Sequence, residues 1–265
     1  MISVIIPAYN EQERIGDCLR ILTRQTVPRS EYEIIVVDGG SKDRTREIAG
    51  EYADLVFIQK SERVGGARND GICRARYDIV VTTDADSIAD ERWIEETLKA
   101  FRDPAVVLAF GPIRPASNTP RNRRYTLLFN SLTWFGAVTR FYYYTLGCNT
   151  AFRKDTFIRA GMYHTVDAGD DLEIAVRMRR MGRVAFNPSM RVGFDFRRYE
   201  EFGFFRTLFE WYMIVLQGGV SDRYTYTRKN YTNGAKPLPT QTLQKDMPSI
   251  HHGQEPAPCA CLQDE

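Results

Sequence analysis

The chain has 265 residues, of which 43% are hydrophobic, 12% aromatic and 26% charged. That balance suits a folded globular protein and excludes collagen-like, fully disordered and disulfide-scaffold classes. Its 36 basic residues against 34 acidic ones leave a formal charge of only +2, too little to drive sequence-independent nucleic-acid binding by counterion release, so no nucleic-acid partner is expected.

Short β-branched runs bounded by Gly, Pro or Asp recur at Ser3–Pro7, Glu33–Val37, Leu55–Ile58, Asp78–Thr82 and Val106–Phe110, and are expected as fully buried strands. Helix-period segments lie between them: Ile15, Leu19 and Leu22 share one face, Ile48 and Tyr52 another, and Trp93, Ile94, Leu98 and Phe101 a third. The βαβα alternation predicts an α/β fold of Rossmann-like type. In it a mostly parallel central sheet is flanked by helices on both faces, and ligands bind at the carboxyl ends of the strands.

From residue 112 to 160 the composition shifts to eight basic residues against one acid, with aromatics at Trp134, Phe135 and 141–144. Arginines beside aromatics suit a phosphate headgroup and its acyl or prenyl chain, while the bland alternative is an aromatic core helix with solvated arginines. The apolar window 202–220 carries Arg206 and Glu210 and so falls short of the roughly 20 uninterrupted residues of a membrane span. Residues 1–200 are expected as the folded domain, 201–220 as an amphipathic, membrane-interfacial segment, and 221–265, polar and Pro-rich, as a disordered tail. Five cysteines, an odd number, and a start that runs from Met1 straight into an apolar strand suggest a cytoplasmic chain, peripheral at the inner face of the cell membrane.

Chemistry gathers at the predicted strand tips. Pro7-Ala8-Tyr9-Asn10-Glu11 presents an aromatic ring and a carboxylate on which a nucleoside can stack, or else Asn10 caps the next helix. Asp38 ends the second strand before Gly39-Gly40, placed to accept from a base or ribose, and Ser41 with Asp43 reads as a helix cap. Gly65-Gly66-Ala67-Arg68 sits at a helix start, where open amides and a guanidinium favour a diphosphate. Asp84-Ala85-Asp86 puts two carboxylates outside a buried strand, and a divalent cation shared with diphosphate oxygens explains them better than a helix cap before Trp93. Gly169-Asp170-Asp171-Leu172-Glu173 opens a helix; its acids suit the macrodipole, or one of them serves as a general base.

In this order the segments closely resemble family 2 glycosyltransferases of the GT-A fold, over about residues 1–195, which implies a Rossmann-like nucleotide-sugar fold with a mixed, mostly parallel central sheet. The resemblance implies a nucleotide-sugar donor, Mg2+ or Mn2+, and inversion at the anomeric carbon. It implies that Pro7, Tyr9, Glu11, Asp38, Arg68, Asp84 and Ala85 line the donor, with Asp86 as the direct metal ligand. Asp171 then matches the catalytic base of the family's Glu-Asp pair, Asp170 standing where Glu is commoner and Glu173 where Asp is commoner. Asn149, in a stretch similar to the strand bordering the acceptor pocket, falls with Asp170 and Arg177 on the acceptor side. Arg197-Arg198-Tyr199 or Trp211 are candidates for the family's downstream aromatic-basic element.

The function so implied is transfer of a sugar to a lipid-linked or cell-surface glycan acceptor. Transfer directly to polyprenyl phosphate is the nearest alternative. A nucleotidyltransferase would want a Gly-rich, basic signature after the first strand, which Tyr9-Asn10-Glu11 does not supply, and intact acids at 84, 86 and 171 argue against a non-catalytic nucleotide-sugar binding module.

Overall fold

The computed structural model describes residues 1–140, 142–143, 145–166 and 169–196, together with Gly203, Arg206, Phe209 and Met213. The expectations for 201–220, apart from those isolated residues, for the tail at 221–265, and for Arg197, Arg198, Tyr199 and Trp211 lie outside the described residues.

In chain order the elements are β1 (Ile2–Ala8), α1 (Ile15–Leu22), β2 (Tyr32–Asp38), α2 (Thr45–Gly50), β3 (Leu55–Ile58), α3 (Arg63–Arg74), β4 (Ile79–Thr82), β5 (Ile88–Ala89), α4 (Trp93–Ala100), β6 (Val106–Phe110), β7 (Ile113–Pro115), α5 (Pro120–Thr139), β8 (Thr150–Arg153), α6 (Lys154–Arg159), α7 (Asp170–Met178), β9 (Arg183–Phe186) and β10 (Val192–Phe194). Seven strands form one sheet in the order β3-β2-β1-β4-β8-β6-β9, and β5-β10-β7 form a second. Pairing is parallel from β3 through β4 and between β6 and β9, while β8 runs antiparallel to both its neighbours. The sheet is thus mostly parallel, as the βαβα alternation predicts, and mixed, as the family resemblance implies.

The five expected strands all form, and alternate residues of β1 serve opposite faces. Val4 and Ile6 pack with Leu19, Leu22, Trp93 and Ile94 on one side, and Ile5 with Ile72, Phe152 and Ile174 on the other. One expectation fails: Leu55 and Ile58 are exposed, because β3 is the edge strand and presents its outer residues to solvent.

The register sets the ligand edge. Ala8 stands beside Asp38, and Ile5 beside Thr82, so the parallel strands deliver their carboxyl ends to one side of the sheet. Because β8 is antiparallel, Thr150 at its start pairs with Thr82 at the end of β4, and the turn before β8 arrives at the same edge.

Helix α5 inverts the usual arrangement. Thr119 caps it by accepting from the Asn122 amide at 3.1 Å, and Pro120 occupies its first turn. Its inward residues include Asn122, Thr126, Phe129, Thr133 and Gly136, whereas Leu127, Trp134, Phe135 and Val138 face outward. The aromatic-core reading of this segment is therefore overturned for Trp134 and Phe135. Among the described residues no helix is long and apolar enough to cross a membrane.

Candidate active site

Two loops at the carboxyl ends of β1 and β2 are laced together. Asn10, in the left-handed region at φ 53°, accepts from the Lys42 amide at 2.9 Å, while its own amide donates to Ser41 Oγ at 2.9 Å. The Glu11 amide donates to Thr45 Oγ1 at 2.8 Å, and the Gln12 amide to Asp43 Oδ2 at 3.2 Å. Asn10 therefore does not cap α1, which begins five residues later; its side chain fastens one strand-tip loop to the other. Asp43 accepts from the Thr45 amide at 3.0 Å, so it does serve the start of α2, whereas Ser41 is taken up by Asn10.

Asp38 is fully buried at the tip of β2. Its Oδ2 accepts from the Gly40 and Ser41 amides at 3.0 and 2.9 Å, and Arg46 approaches to 3.5 Å. Gly40 has φ 85°, which a side chain would strain, and Gly39 lies under the Tyr9 ring, 3.2 Å from where a β-carbon would sit. Asp38 Oδ1 is buried without a protein partner, an acceptor that a ligand hydroxyl or base would satisfy. Pro7 and Tyr9 are half-buried beside it, and the half-buried carboxylate of Glu11 meets Arg14 at 3.3 Å.

The centre of the site is Arg68, whose side chain is only 5% exposed. Its Nη2 donates to Asp84 Oδ1 at 2.9 Å and its Nη1 to Asp171 Oδ1 at 3.0 Å, with Asp170 Oδ2 at 3.8 Å. Asp84 from β4 and the two acids opening α7 thus converge on one guanidinium, which also lies over the Tyr163 ring at 5.7 Å. Burial works against the charge of Arg68, but Asp171, Asp84 and Asp170 outweigh it and hold the group more firmly protonated. Burial in turn raises Asp171, and burial followed by the charge of Asp171 pushes Asp170 up to about 7.

Close packing makes this convergence sterically feasible. Gly65 and Gly66, expected as an open anion cradle, are buried. A β-carbon on Gly65 would fall 2.8 Å from the His164 carbonyl and 2.9 Å from Asp170 Oδ2, and one on Gly66 would fall 2.8 Å from Ser61 Cβ. They admit neighbouring segments of the same chain. Gly147 has the same role for Arg68, whose guanidinium occupies the space a β-carbon there would fill. The Gly147 amide donates to Asp171 Oδ2 at 2.8 Å, its carbonyl accepts from Thr82 Oγ1 at 2.6 Å, and the Thr145 hydroxyl donates to the Asp171 carbonyl. The 145–147 turn therefore holds Asp171 by side chain and main chain together.

Asp86 stands two residues beyond Asp84 with buried Ala85 between them. Both charges bear on Cys18, whose thiol burial raises first and Asp86 and Asp84 raise further. The helix-cap alternative for these acids fails: β5 intervenes, and the Trp93 amide donates to the Asp90 carbonyl at 2.9 Å. Among the described residues no three His, Cys, Asp or Glu side chains form a ready metal cluster. Asp84 and Asp86 fit a divalent ion of the kind held by one or two carboxylates plus phosphate oxygens of a ligand.

Two residues expected on the acceptor side, Asn149 and Arg177, make internal contacts. Asn149 is fully buried; it accepts from Trp93 Nε1 at 2.8 Å and donates to the carbonyls of Pro112 and Met190 at 3.0 and 2.8 Å. With every side-chain donor and acceptor engaged, it is a brace between sheets. Arg177 pairs with Glu173 at 2.5 Å and donates to the carbonyls of Ala160 and Met162, tying α7 to the loop after α6. Thr82 and Thr145 escaped the sequence reading as site residues, and Gly147 entered it only as the first residue of the stretch around Asn149. A threonine ending the apolar run of β4 was the one visible signal.

Residues 3–163 match the family described as Glycosyl transferase family 2. Glycosyltransferase AglE of Haloferax volcanii is 39% identical over 118 residues, covering 42% of this chain and 39% of that protein. The probable glycosyltransferase YdaM of Bacillus subtilis is 25% identical over 206 residues, 71% of this chain and 49% of that protein. The chain thus spans less than half the length of either relative. Among solved structures, the mannosyltransferase PcManGT from Pyrobaculum calidifontis, in complex with GDP-Man and Mn2+, superposes with a TM-score of 0.58 at 25% identity, covering 73% of this chain and 56% of that one. Staphylococcus aureus TarS 1-349 in complex with UDP-GlcNAc gives 0.59 at 19% identity, covering 73% and 58%, a likeness of fold.

Proposed function

Because the chain belongs to glycosyl transferase family 2, we propose that it transfers a sugar, with inversion and with Mg2+ or Mn2+, from a nucleotide diphosphate donor to a hydroxyl of a lipid-linked or cell-surface glycan. The observation that carries the reading is the meeting of Asp84 and Asp171 on the buried guanidinium of Arg68. One acid from a strand tip and one from a helix start are held a single side chain apart, as a donor leaving group and an attacking hydroxyl require. The complex of PcManGT with GDP-Man and Mn2+ supports the donor class and the metal.

In this reading Tyr9 stacks on the base, and the unpartnered Asp38 Oδ1 accepts from the base or ribose. Asp84 and Asp86 would hold the metal, which would supply positive charge to the donor diphosphate. Arg68 supplies a second, permanent charge beside it. Asp171 takes the proton of the acceptor hydroxyl as that oxygen attacks the anomeric carbon from the side opposite the diphosphate. Its side chain is 16% exposed against 7% for Asp170, so Asp171 is the acid an acceptor can reach. Burial that raises its carboxyl also makes it a stronger base.

The test is a thermal-shift panel of UDP-, GDP- and dTDP-sugars with and without Mn2+, followed by assay of free nucleoside diphosphate. A donor selective for the native state raises its melting temperature by mass action. If no nucleotide sugar shifts the melting temperature in either condition, the proposed donor class is wrong.

A further inference from the structure

We propose that the outward face of α5 docks onto an anionic lipid bilayer and brings the acceptor side of the site to that surface. The inference rests on the reading above only in what it says about the acceptor; the docking itself rests on the helix.

Leu127, Trp134, Phe135 and Val138 are 70%, 56%, 53% and 60% exposed. Their spacing puts 127, 134 and 138 in one helical stripe with Leu128 and Phe135 alongside, and an apolar patch of this kind on a folded domain marks an interaction surface. The helix cannot rotate to bury it. Asn130 accepts from the Ile113 amide at 3.0 Å and donates to the Ile113 carbonyl at 2.8 Å, and Tyr142 Oη donates to the Leu132 carbonyl at 3.0 Å. At Gly136 a β-carbon would sit 2.7 Å from the Tyr142 carbonyl. These contacts fix the polar, small-residue face inward, and the aromatic face outward follows.

Charge selects the occupant. Arg123 and Arg124 are exposed at the start of the helix and Arg140 just past its end, and residues 120–139 contain no Asp or Glu. A second copy applied to this face would bring the same cations with no carboxylate from the helix to meet them. Anionic headgroups complement them, with arginine stems lying along the acyl boundary and Trp134 at the interface. Phe129 on the inward face belongs to one apolar cluster with Leu172, which follows Asp171, and Leu146, which precedes Gly147, packs against that cluster. A bilayer on the outer face therefore lies about one helix diameter, roughly 10–12 Å, from the turn that holds the base, within reach of an acceptor hydroxyl borne on a lipid headgroup.

The test is flotation of the full chain with phosphatidylcholine vesicles and with vesicles containing 30% phosphatidylglycerol, at low and high salt. We expect binding to the anionic vesicles alone, weakened by salt. The double variant Trp134→Ser, Phe135→Ser should lose it by tenfold or more with an unchanged melting temperature, while Trp134→Phe keeps it. Brominated acyl chains should quench part of the tryptophan fluorescence of the wild type. Flotation of the double variant like wild type, equal binding to neutral vesicles, or no binding at all overturns the proposal. So does a wild-type dimer in sedimentation that the double variant dissolves, which assigns the face to a second copy. The nucleotide-sugar thermal shift, measured on the same preparations, keeps this outcome separate from that of the donor reading.

Discussion

Arg68 and Asp171, 103 residues apart in the chain, meet at 3.0 Å between Nη1 and Oδ1, and the second oxygen of Asp171 is taken by the Gly147 amide. The acid is therefore oriented from two directions before any ligand arrives, with lone pairs remaining on both oxygens. Such preorganisation is what a base acting on a hydroxyl needs.

Asp171→Asn should keep donor binding and lose transfer by roughly 100- to 10,000-fold, the usual contribution of general-base assistance. Asp170→Asn should retain far more. Steady-state transfer with a sugar-hydroxyl acceptor checks both; a larger loss for Asp170→Asn would move the base to the neighbouring acid, and full activity of both would favour an already ionised phosphate acceptor.

Asp86→Ala should abolish the Mn2+-dependent part of donor binding while leaving the melting temperature of the ligand-free protein nearly unchanged. Isothermal titration with the nucleotide diphosphate, in Mn2+ and in EDTA, reads this directly. Equal affinities for variant and wild type in Mn2+ would remove Asp86 from the metal.

Arg68→Met should destabilise the ligand-free protein by about 3–5 kcal/mol at neutral pH, because it leaves buried carboxylates facing each other without their cation. Denaturant titration gives the loss, and Mn2+ should restore part of it. A loss under about 1 kcal/mol would mean the acids do not depend on Arg68.

The pH dependence follows from Asp170. Its pKa is pushed up to about 7 by burial and by Asp171, above its unfolded value, so it binds a proton more tightly in the folded chain. The stability it lends is complete below the ordinary carboxylate range and is lost as pH rises through about 7. In EDTA, Asp170→Asn should therefore gain on wild type by roughly 2–4 kcal/mol between pH 4 and pH 7.5. Parallel stability curves for the two proteins would contradict the assignment.

Asn149→Ala should lower stability by at least about 2 kcal/mol, since Trp93 Nε1 and the carbonyls of Pro112 and Met190 lose a buried partner. Donor and acceptor KM values of the surviving folded fraction should stay close to wild type. A selective rise in acceptor KM with unchanged stability would return Asn149 to the acceptor pocket.

Apolar runs and strand-tip acids were legible because they are local: burial dictates the first, and unpaired charge at the end of a buried run betrays the second. The partners that Asn10, Asn149 and Arg177 find 32, 37 and 15 residues away were not legible, because no local pattern encodes such pairings. Gly65 and Gly66 show a related ambiguity, since a glycine that admits an anion and one that admits a neighbouring chain look alike in sequence. The inverted face of α5 was hidden for another reason: its apolar residues have helical spacing whichever way they point, and tertiary contacts such as those of Asn130, Gly136 and Tyr142 decide the direction.

The antiparallel strand β8 also governs how the seven-stranded sheet can be assembled. The strands β3-β2-β1-β4 are complete once residue 82 has been made, yet the open edge of β4 waits roughly 70 residues for Thr150–Arg153 to cover it. During ribosomal synthesis at about 5–20 residues per second, that edge stands unpaired for several seconds. A fragment ending near residue 140 would keep it unpaired permanently, and should associate through it where the longer chain remains dispersed.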